Sequence, residues 1–335
     1  MKAKQLKIAV AIAFAVCALG TTSAALAQAT NVQLSTGCAG TNCVPNGIFD
    51  LTAIQQFDWQ SSGDLVVKDA LAANAAVING SVNAGITTFA SWVAAANASL
   101  IAGNAGANTV SFSIFAQTRL NDLLNQAGGS LPAPGTLDKN GAVGGDAGFE
   151  ITAALNAVES ARMIAPGVLQ FTGISGTYSF FFDNSPNSDV ILGTGFINGT
   201  TPAGTAFLSG NVVGTTGTAT FTGGLFSGNS LLTNTITFFD PTVIKADPAS
   251  NGPLIGSSFD TLIKLANVAG GEAQVGVGGT IGLTPYTVLA ADLRLKADAN
   301  SAFSARPIPE PGTMLLAGAA LMGLAACGRR RKLGV

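Results

Sequence analysis

The chain has 335 residues, contains no histidine and carries a formal net charge of −2. Without histidine it can form neither a Ser-His-Asp triad nor a Cys-His pair, and it lacks the usual general base for neutral pH. Charged residues are only 10% of the chain and glycine contributes 42 residues, so Thr, Ser and Asn supply much of its polarity.

The first 27 residues have the layout of a secretory signal peptide. A positively charged start precedes a short apolar run, and small residues follow at a signal peptidase site. These features are Lys2, Lys4 and Lys7, the run 8–19, and Ala25 and Ala27. The run is shorter than the roughly 20 residues of a spanning helix, which disfavours the alternative of a membrane anchor. We predict a signal peptide over 1–27, cleaved after Ala27, and an exported β-rich domain over 28–306.

Two cysteines, Cys38 and Cys43, belong to the predicted exported domain. Their spacing suits a small disulfide loop, and the export route is oxidising. A zinc site would need two further ligands in a chain that has no histidine. We therefore predict a Cys38–Cys43 disulfide inside an irregular segment over 28–50.

The next part of the domain predicts short strands separated by loops. One strand is predicted at 64–68, and a clean alternation of apolar and polar residues predicts another at 109–116. Between them, glycines punctuate residues 70–108 too often for a long helix, so we expect short strands and loops. Residues 118–126 suit one or two helical turns, and 128–148 form a Gly/Pro-rich connection.

The second half of the domain has the clearer β pattern. Residues 150–163 leave helix and strand open, because their apolar residues fall at helical spacing between glycine and proline signals. Short β-prone runs follow with turn residues between them, at 177–182, 190–196, 205–213, 216–221 and 231–239, and 287–296 is predicted as the last strand. The predicted fold class is mostly β, an antiparallel β-sandwich or meander-like domain with an N-terminal signal helix and a C-terminal short transmembrane helix.

The C-terminal segment combines a short motif, an apolar stretch and a basic tail. In chain order these are Pro309, Glu310 and Pro311, then residues 312–327, then Arg329, Arg330, Arg331 and Lys332. The apolar stretch is below the usual spanning length. Clustered positive charge resists translocation, so the tail is expected to stay cytoplasmic. An ordinary C-terminal membrane anchor is the alternative.

This arrangement resembles the PEP-CTERM sorting signal, which Gram-negative bacteria with exopolysaccharide systems use. We assign it to residues 307–335. The resemblance implies cleavage by an exosortase near Pro309-Glu310-Pro311, after signal peptidase has acted at the other end. It also implies a precursor held transiently in the inner membrane, and a final location at the cell surface or in the extracellular matrix.

The exported domain is more acidic than the whole chain. The two predicted signals hold seven of the 16 basic residues and one of the 18 acidic residues, which leaves nine basic and seventeen acidic residues and a charge near −8. Such a domain is a poor partner for nucleic acid, whose phosphates require Lys and Arg. It is equally unsuited to anionic lipid surfaces.

Several short stretches resemble a subgroup of PEP-CTERM proteins that is linked to floc formation. They are residues 178–183 with the turn after them and 192–196, residues 297–303, and residues 116–120. The resemblance implies an antiparallel β-domain that holds cells to exopolysaccharide in flocs or biofilms. We therefore expect a structural or adhesive protein with exopolysaccharide as its partner.

No sequence motif indicates catalysis, and we predict that the protein is not an enzyme and needs no cofactor. The nucleophile elbow and the phosphate loop are both missing, and residues 276–282 only approach a dinucleotide fingerprint. The alternative function is a carbohydrate-binding or carbohydrate-cleaving module. Trp59 and Trp92 would then stack on sugar rings, although core packing is the favoured interpretation of both.

One loop has a composition that suits a metal ion. Asp183, Asn184, Asn187 and Asp189 place several side-chain oxygens close together in sequence. Oxygen ligands of this kind bind Ca²⁺, a hard cation. The same residues are common in turns, and a plain Asx-rich turn is the favoured alternative.

Overall fold

The computed structural model describes residues 31–35, 51–104, 106–125, 128–131, 137, 149–183, 186–197, 205–222, 225–247, 254–268 and 274–303. All of them belong to one compact unit, Ala29–Ser304. Several predictions lie outside the described residues. They are the signal peptide with Ala25 and Ala27, the Cys38–Cys43 pair, the Pro309-Glu310-Pro311 motif, and the basic tail Arg329, Arg330, Arg331 and Lys332.

The described residues form sixteen strands and one helix. The strands are β1 Val32–Leu34, β2 Leu51–Ile54, β3 Gln56–Trp59, β4 Gly63–Val67, β5 Ala76–Ile78, β6 Ser81–Val82, β7 Thr109–Leu124, β8 Glu150–Ala165, β9 Val168–Asp183, β10 Leu208–Thr222, β11 Leu225–Phe239, β12 Ile244–Ala246, β13 Ser258–Asn267, β14 Thr280–Ile281, β15 Tyr286–Thr287 and β16 Leu293–Phe303. The helix is α1, Phe89–Ile101.

The long strands form one closed, barrel-like antiparallel sheet. Strands β7 to β11 pair with their sequence neighbours as a meander, and β13 and β16 continue the sheet from β11. The circuit of the closed sheet has eight positions. Seven are held by β7, β8, β9, β10, β11, β13 and β16. Strands β3 and β4 share the eighth, because both pair with β16 on one side and with β7 on the other. The prediction of a mostly β, antiparallel domain is confirmed. The long strands enclose one core within the closed sheet. Strands β12, β1 and β2 form a separate three-stranded sheet, and its Val32, Leu34 and Ile54 are buried in the same core.

The interior of the closed sheet is filled by alternate side chains, as strand geometry requires. On β7, Val110, Phe112 and Ile114 are buried in this core. Aromatic rings fill one end, where the ring centroids of Trp59 and Phe180 lie 4.8 Å apart in an edge-on arrangement. Large aromatic side chains contribute strongly to a core because of their buried area.

Helix α1 corrects the prediction of only strands and loops over residues 70–108. No glycine interrupts the chain from residue 86 to residue 102, which is long enough for three helical turns. Thr88 caps the helix by accepting a hydrogen bond from the Ser91 N–H (3.1 Å). Trp92 is fully buried and Phe89 packs on Phe112 of the sheet, with centroids 4.9 Å apart.

No helix in the described ranges is both long enough and apolar enough to cross a membrane.

Three other segments differ from their predictions. Residues 118–124 continue β7 as strand and do not form helical turns, because β3 pairs with them. Residues 190–196 form turns, and the last strand begins at Leu293 and extends through Phe303. Residues 150–163, which left helix and strand open, belong to β8. Pairing with neighbouring strands decided the conformation of residues 118–124 and 150–163.

A carboxyl group lies inside the mostly apolar core. Glu159 is 5% exposed and accepts a hydrogen bond from the Thr215 hydroxyl (3.2 Å), which in turn lies 2.8 Å from the Ser230 hydroxyl. Burial raises the pKa of Glu159 to about 8, and the Thr215 hydrogen bond opposes this only in part. Glu159 is therefore protonated at neutral pH.

Gly210 provides a sharp test of strand packing. A Cβ there would lie 1.9 Å from the Thr235 carbonyl oxygen and 2.6 Å from the Tyr178 hydroxyl. We expect Gly210→Ala to destabilise the protein by about 1–3 kcal/mol, because the backbone of β11 must move. Gly173→Ala is the matched control, since its Cβ would meet nothing within 4 Å. Urea denaturation of both variants measures the difference, and equal midpoints would contradict the close strand approach.

Glu159 predicts a pH dependence of stability. The unfolded chain loses this proton near pH 4.5, whereas the folded protein keeps it up to about pH 8. Across that interval stability falls as pH rises, by at most about 1.4 kcal/mol per pH unit from this group. Glu159→Gln keeps an acceptor for Thr215 and should make the slope between about pH 5 and pH 8 shallower.

The control for Glu159→Gln is Asp298→Asn, which removes an exposed ion pair with Lys264 (3.5 Å). Exposed pairs contribute little to stability. Urea midpoints at several pH values measure the slope. A slope that is the same in Glu159→Gln as in the wild type would show that the Glu159 carboxyl titrates normally.

Candidate functional site

Two segments, 186–197 and 274–292, cover the outer face of β4, β7 and β8, and we call them the covering segments. They bond to each other through the N–H of Gly276 to the Ile191 carbonyl and the N–H of Thr280 to the Leu192 carbonyl (both 3.0 Å). A small apolar cluster of Val66, Val275, Ile281 and Val288 lies between the second segment and the sheet. The part of the outer face that lies beneath these segments is therefore buried.

Polar side chains of the sheet lie beneath the covering segments. Asp64 of β4 pairs with Gln117 of β7, and Arg119 of β7 pairs with Thr152 of β8. None of these four residues is more than 5% exposed. The Thr152 hydroxyl donates to the Phe196 carbonyl oxygen (2.7 Å), which fastens the first covering segment. A buried polar row of this kind is costly unless its groups find partners.

The pKa of the Asp64 carboxyl in this row departs far from its ordinary value. Burial raises the pKa of Asp64 to about 7, although the Val275 N–H, the Gln117 side chain and the Arg119 charge each lower it. The Val275 N–H donates to Oδ1 (3.0 Å), so the carboxyl also holds the second covering segment in place. No described residue forms a hydrogen bond to Oδ2.

A cavity of about 190 Å³ opens where the covering segments meet the sheet. It is lined by Gln117, Gly193, Thr194, Gly195, Ile197, Thr280, Ile281, Gly282 and Pro285. Gly193 must remain without a side chain, because a Cβ there would lie 1.6 Å from the Thr280 carbonyl oxygen. The close approach of the two segments at this glycine shapes the cavity wall.

The second covering segment has a further anchor on β8. Asn156 Oδ1 accepts the Leu283 N–H (2.8 Å), and its Nδ2 donates to the Thr284 carbonyl oxygen (3.4 Å). The ring of Tyr286 stacks on Phe115 of β7 with centroids 4.4 Å apart. Amide and ring together fix the segment beside the cavity.

The turn in which we predict calcium ligands is organised around a residue that the prediction did not include. Glu150 is fully buried and accepts hydrogen bonds from the N–H of Asn187 (2.9 Å) and of Ser188 (3.2 Å). Burial raises the pKa of Glu150, and its cross-strand partner Asp183 raises it further. Asn187 Nδ2 donates to Asp183 Oδ2 (3.2 Å).

Asp189, another predicted calcium ligand, bonds to backbone groups of its own turn. Asp189 Oδ1 accepts the N–H groups of Ile191 and Leu192 in its own turn, which is ordinary Asx-turn bonding. Asn184 lies outside the described residues. Within the ranges that the structure describes, no three His, Cys, Asp or Glu side chains come together as a metal site. Calcium binding by Asp183, Asn184, Asn187 and Asp189 stays a prediction.

Both tryptophans lie in the core and not at a binding surface. Trp59 is 2% exposed and Trp92 is 0% exposed. The Trp59 Nε1 donates to the Ser301 hydroxyl (2.8 Å) inside the closed sheet. The favoured interpretation as core residues is confirmed, and neither ring is available to stack on a sugar.

The glycines of 276–282 make turns. Gly278 and Gly282 have φ of 88°, a conformation that favours glycine, and they lie on either side of strand β14. Asp64, Gln117 and Glu150 were not assigned to any site from the sequence. The sequence signal for this site is polar residues at outward positions of apolar strands. Recognising it requires the correct register of β7.

One segment of the chain matches a known protein motif. Residues 307–331 match the family model described as the PEP-CTERM protein-sorting motif. No curated protein and no solved structure matches the chain.

Proposed function

Because residues 307–331 are a PEP-CTERM sorting motif, which marks an exosortase-targeted exported protein, we propose that the β-rich domain is a structural or adhesive component of the extracellular matrix. Exopolysaccharide is its proposed partner. The supporting observation is a broad outer face of the sheet that carries hydroxyl and amide groups and almost no charge.

The uncharged face comprises β9, β10 and β11, which are neighbours in the sheet. Strands β10 and β11 contain no Asp, Glu, Lys or Arg, and β9 contains only Asp183 at its end. Ser, Thr, Asn and Gln supply most of the polarity of this face. Natural protein surfaces usually rely on charged residues for solubility, so three long strands without them form a distinct surface.

The polar side chains of this face are aligned across the strands. One row is Gln170, Thr218 and Asn229, and a second is Thr177, Asn211 and Thr235. Neighbouring strands lie about 4.8 Å apart, so each row repeats at that interval. Hydroxyl and amide groups both donate and accept hydrogen bonds, as the hydroxyls of a polysaccharide do.

Apolar side chains lie on the same face. Val213 is 56% exposed and Leu231 is 38% exposed. They can contact the C–H faces of sugar rings while the polar rows bond to hydroxyls. The acidic balance of the domain favours a neutral polymer, because like charges in contact are unfavourable.

A carbohydrate-cleaving role has less support. Hydrolysis of a glycosidic bond needs two accessible carboxyl groups. The cross-strand pair Glu150 and Asp183 is buried, and Glu150 is occupied by Asn187 and Ser188 of the first covering segment. We therefore propose binding without catalysis.

The first prediction from the proposed function concerns processing at the C-terminus. Mass spectrometry of protein recovered from the cell surface and medium should show a chain that ends near Pro309–Pro311. In cells without the exosortase, Arg329 to Lys332 should remain attached. A wild-type protein that keeps this tail in the inner membrane would remove the basis for a matrix role.

Binding through the uncharged face is the second prediction. Thr218→Ala with Asn229→Ala removes two cross-strand partners from one row. We expect retention on purified exopolysaccharide to fall about tenfold, from the loss of about 1–2 hydrogen bonds. The matched control is Ser81→Ala with Thr87→Ala, two exposed residues away from this face.

Co-sedimentation with the polymer measures the binding of both double variants. If both bind like the wild type, the uncharged face is not the polysaccharide site. If the wild type ignores the polymer but forms oligomers that the Thr218/Asn229 variant does not form, the face binds a second copy of the chain and the adhesive proposal fails.

A further inference from the structure

Gln117 lies beside the Asp64 carboxyl, whose pKa it lowers, and also lines the cavity beneath the covering segments. The residue is 3% exposed and its Nε2 has no hydrogen-bond partner in the described part of the chain. That nitrogen lies beside Gly193, since a Cβ at Gly193 would be 3.2 Å from it. Both residues line the cavity of about 190 Å³. A buried amide that lacks a partner is expected to bond to whatever occupies the space.

The lining of the cavity selects an uncharged occupant. None of its nine residues is ionisable, so an anion would meet no cationic side chain and a metal ion no carboxylate. The polar groups are the Gln117 amide, the hydroxyls of Thr194 and Thr280, and the backbone of three glycines. These groups donate and accept hydrogen bonds, which suits a molecule with several hydroxyls.

The size and the lining of the cavity further restrict which ligand can bind there. The cavity is below the roughly 300–1,000 Å³ of sites for drug-sized ligands, so the ligand must be small. Ile197, Ile281 and Pro285 add apolar surface to its wall. A single sugar ring combines the required properties, because it is compact, has apolar C–H faces and carries hydroxyls around its edge.

We propose that this cavity binds one neutral monosaccharide unit, with the Gln117 amide as the principal specificity group. The site is separate from the uncharged face on β9, β10 and β11, and it does not depend on that face binding polymer. The covering segments hold the wall of the cavity in place through Asp64, Asn156 and Glu150.

The test titrates the exported protein with D-glucose, D-galactose, D-mannose and N-acetyl-D-glucosamine, and follows ligand-observed NMR and thermal unfolding. Sugars stabilise proteins non-specifically, so the L-enantiomers of the three hexoses serve as solvent controls. We expect at least one D-sugar to bind and to raise the midpoint of unfolding above the value in its L-enantiomer.

The decisive variant is Gln117→Met, which keeps the length of the side chain and removes the amide. Binding should weaken about tenfold, as expected for a lost buried hydrogen bond. The stability of the variant without sugar is measured separately, because Gln117 also lowers the pKa of the buried Asp64 carboxyl. Thr280, which also lines the cavity, offers a second, isosteric variant, Thr280→Val, that should also weaken binding.

Three outcomes decide the proposal. Enantiomer-dependent binding that Gln117→Met and Thr280→Val weaken, and that Thr218→Ala with Asn229→Ala leaves intact, supports it. If no D-sugar differs from its L-enantiomer and N-acetyl-D-glucosamine gives no NMR signal of binding, the cavity holds only water and the proposal is wrong. Sugar binding that persists in both cavity variants places the site elsewhere. Co-sedimentation of Gln117→Met with the polymer tests the uncharged face alone, because the cavity is a separate site.

Discussion

Closure of the sheet by β3 and β4 is the constraint on which the rest of the structure depends. These short strands pair with β16 on one side and with β7 on the other, so no edge of the eight-strand circuit is left open. Unpaired edges invite association with other chains, and closure removes them. The same pairing sets Asp64 directly opposite Gln117. The buried polar row therefore exists only in the closed sheet.

The covering segments depend on polar anchors more than on apolar burial. Their own apolar cluster has four fully buried members, whereas three sheet residues each accept backbone N–H groups from the segments. These residues are Asp64, Asn156 and Glu150. A charged or amide acceptor fixes direction as well as distance, and hydrophobic contact does not. Directional anchors are what keep a cavity open where apolar segments would collapse together.

Much of the strand content could be predicted from the sequence, and the exceptions have two physical origins. The alternation at 109–116 and the aromatic run at 177–182 both predict strands, and both lie in strands. Residues 118–124 have a helical spacing of leucines, yet they are strand because β3 supplies hydrogen-bond partners far away in the sequence. The helix over Phe89–Ile101 was missed because nearby glycines were weighed more heavily than the glycine-free interval between them. Long-range pairing cannot be read from a local window.

The candidate site was harder to predict than the fold, because its polar residues look unremarkable in isolation. Asp64 and Gln117 come from different strands, and the cavity wall comes from two segments that no motif marks. Their energetic cost is what distinguishes them in the structure. A buried polar group without a partner costs about 1–3 kcal/mol, and an apolar residue of similar shape would avoid that cost. Gln117 lowers the pKa of Asp64, yet its Nε2 makes no hydrogen bond within the described ranges. A ligand that bonds to the Gln117 amide in the cavity would offset that cost.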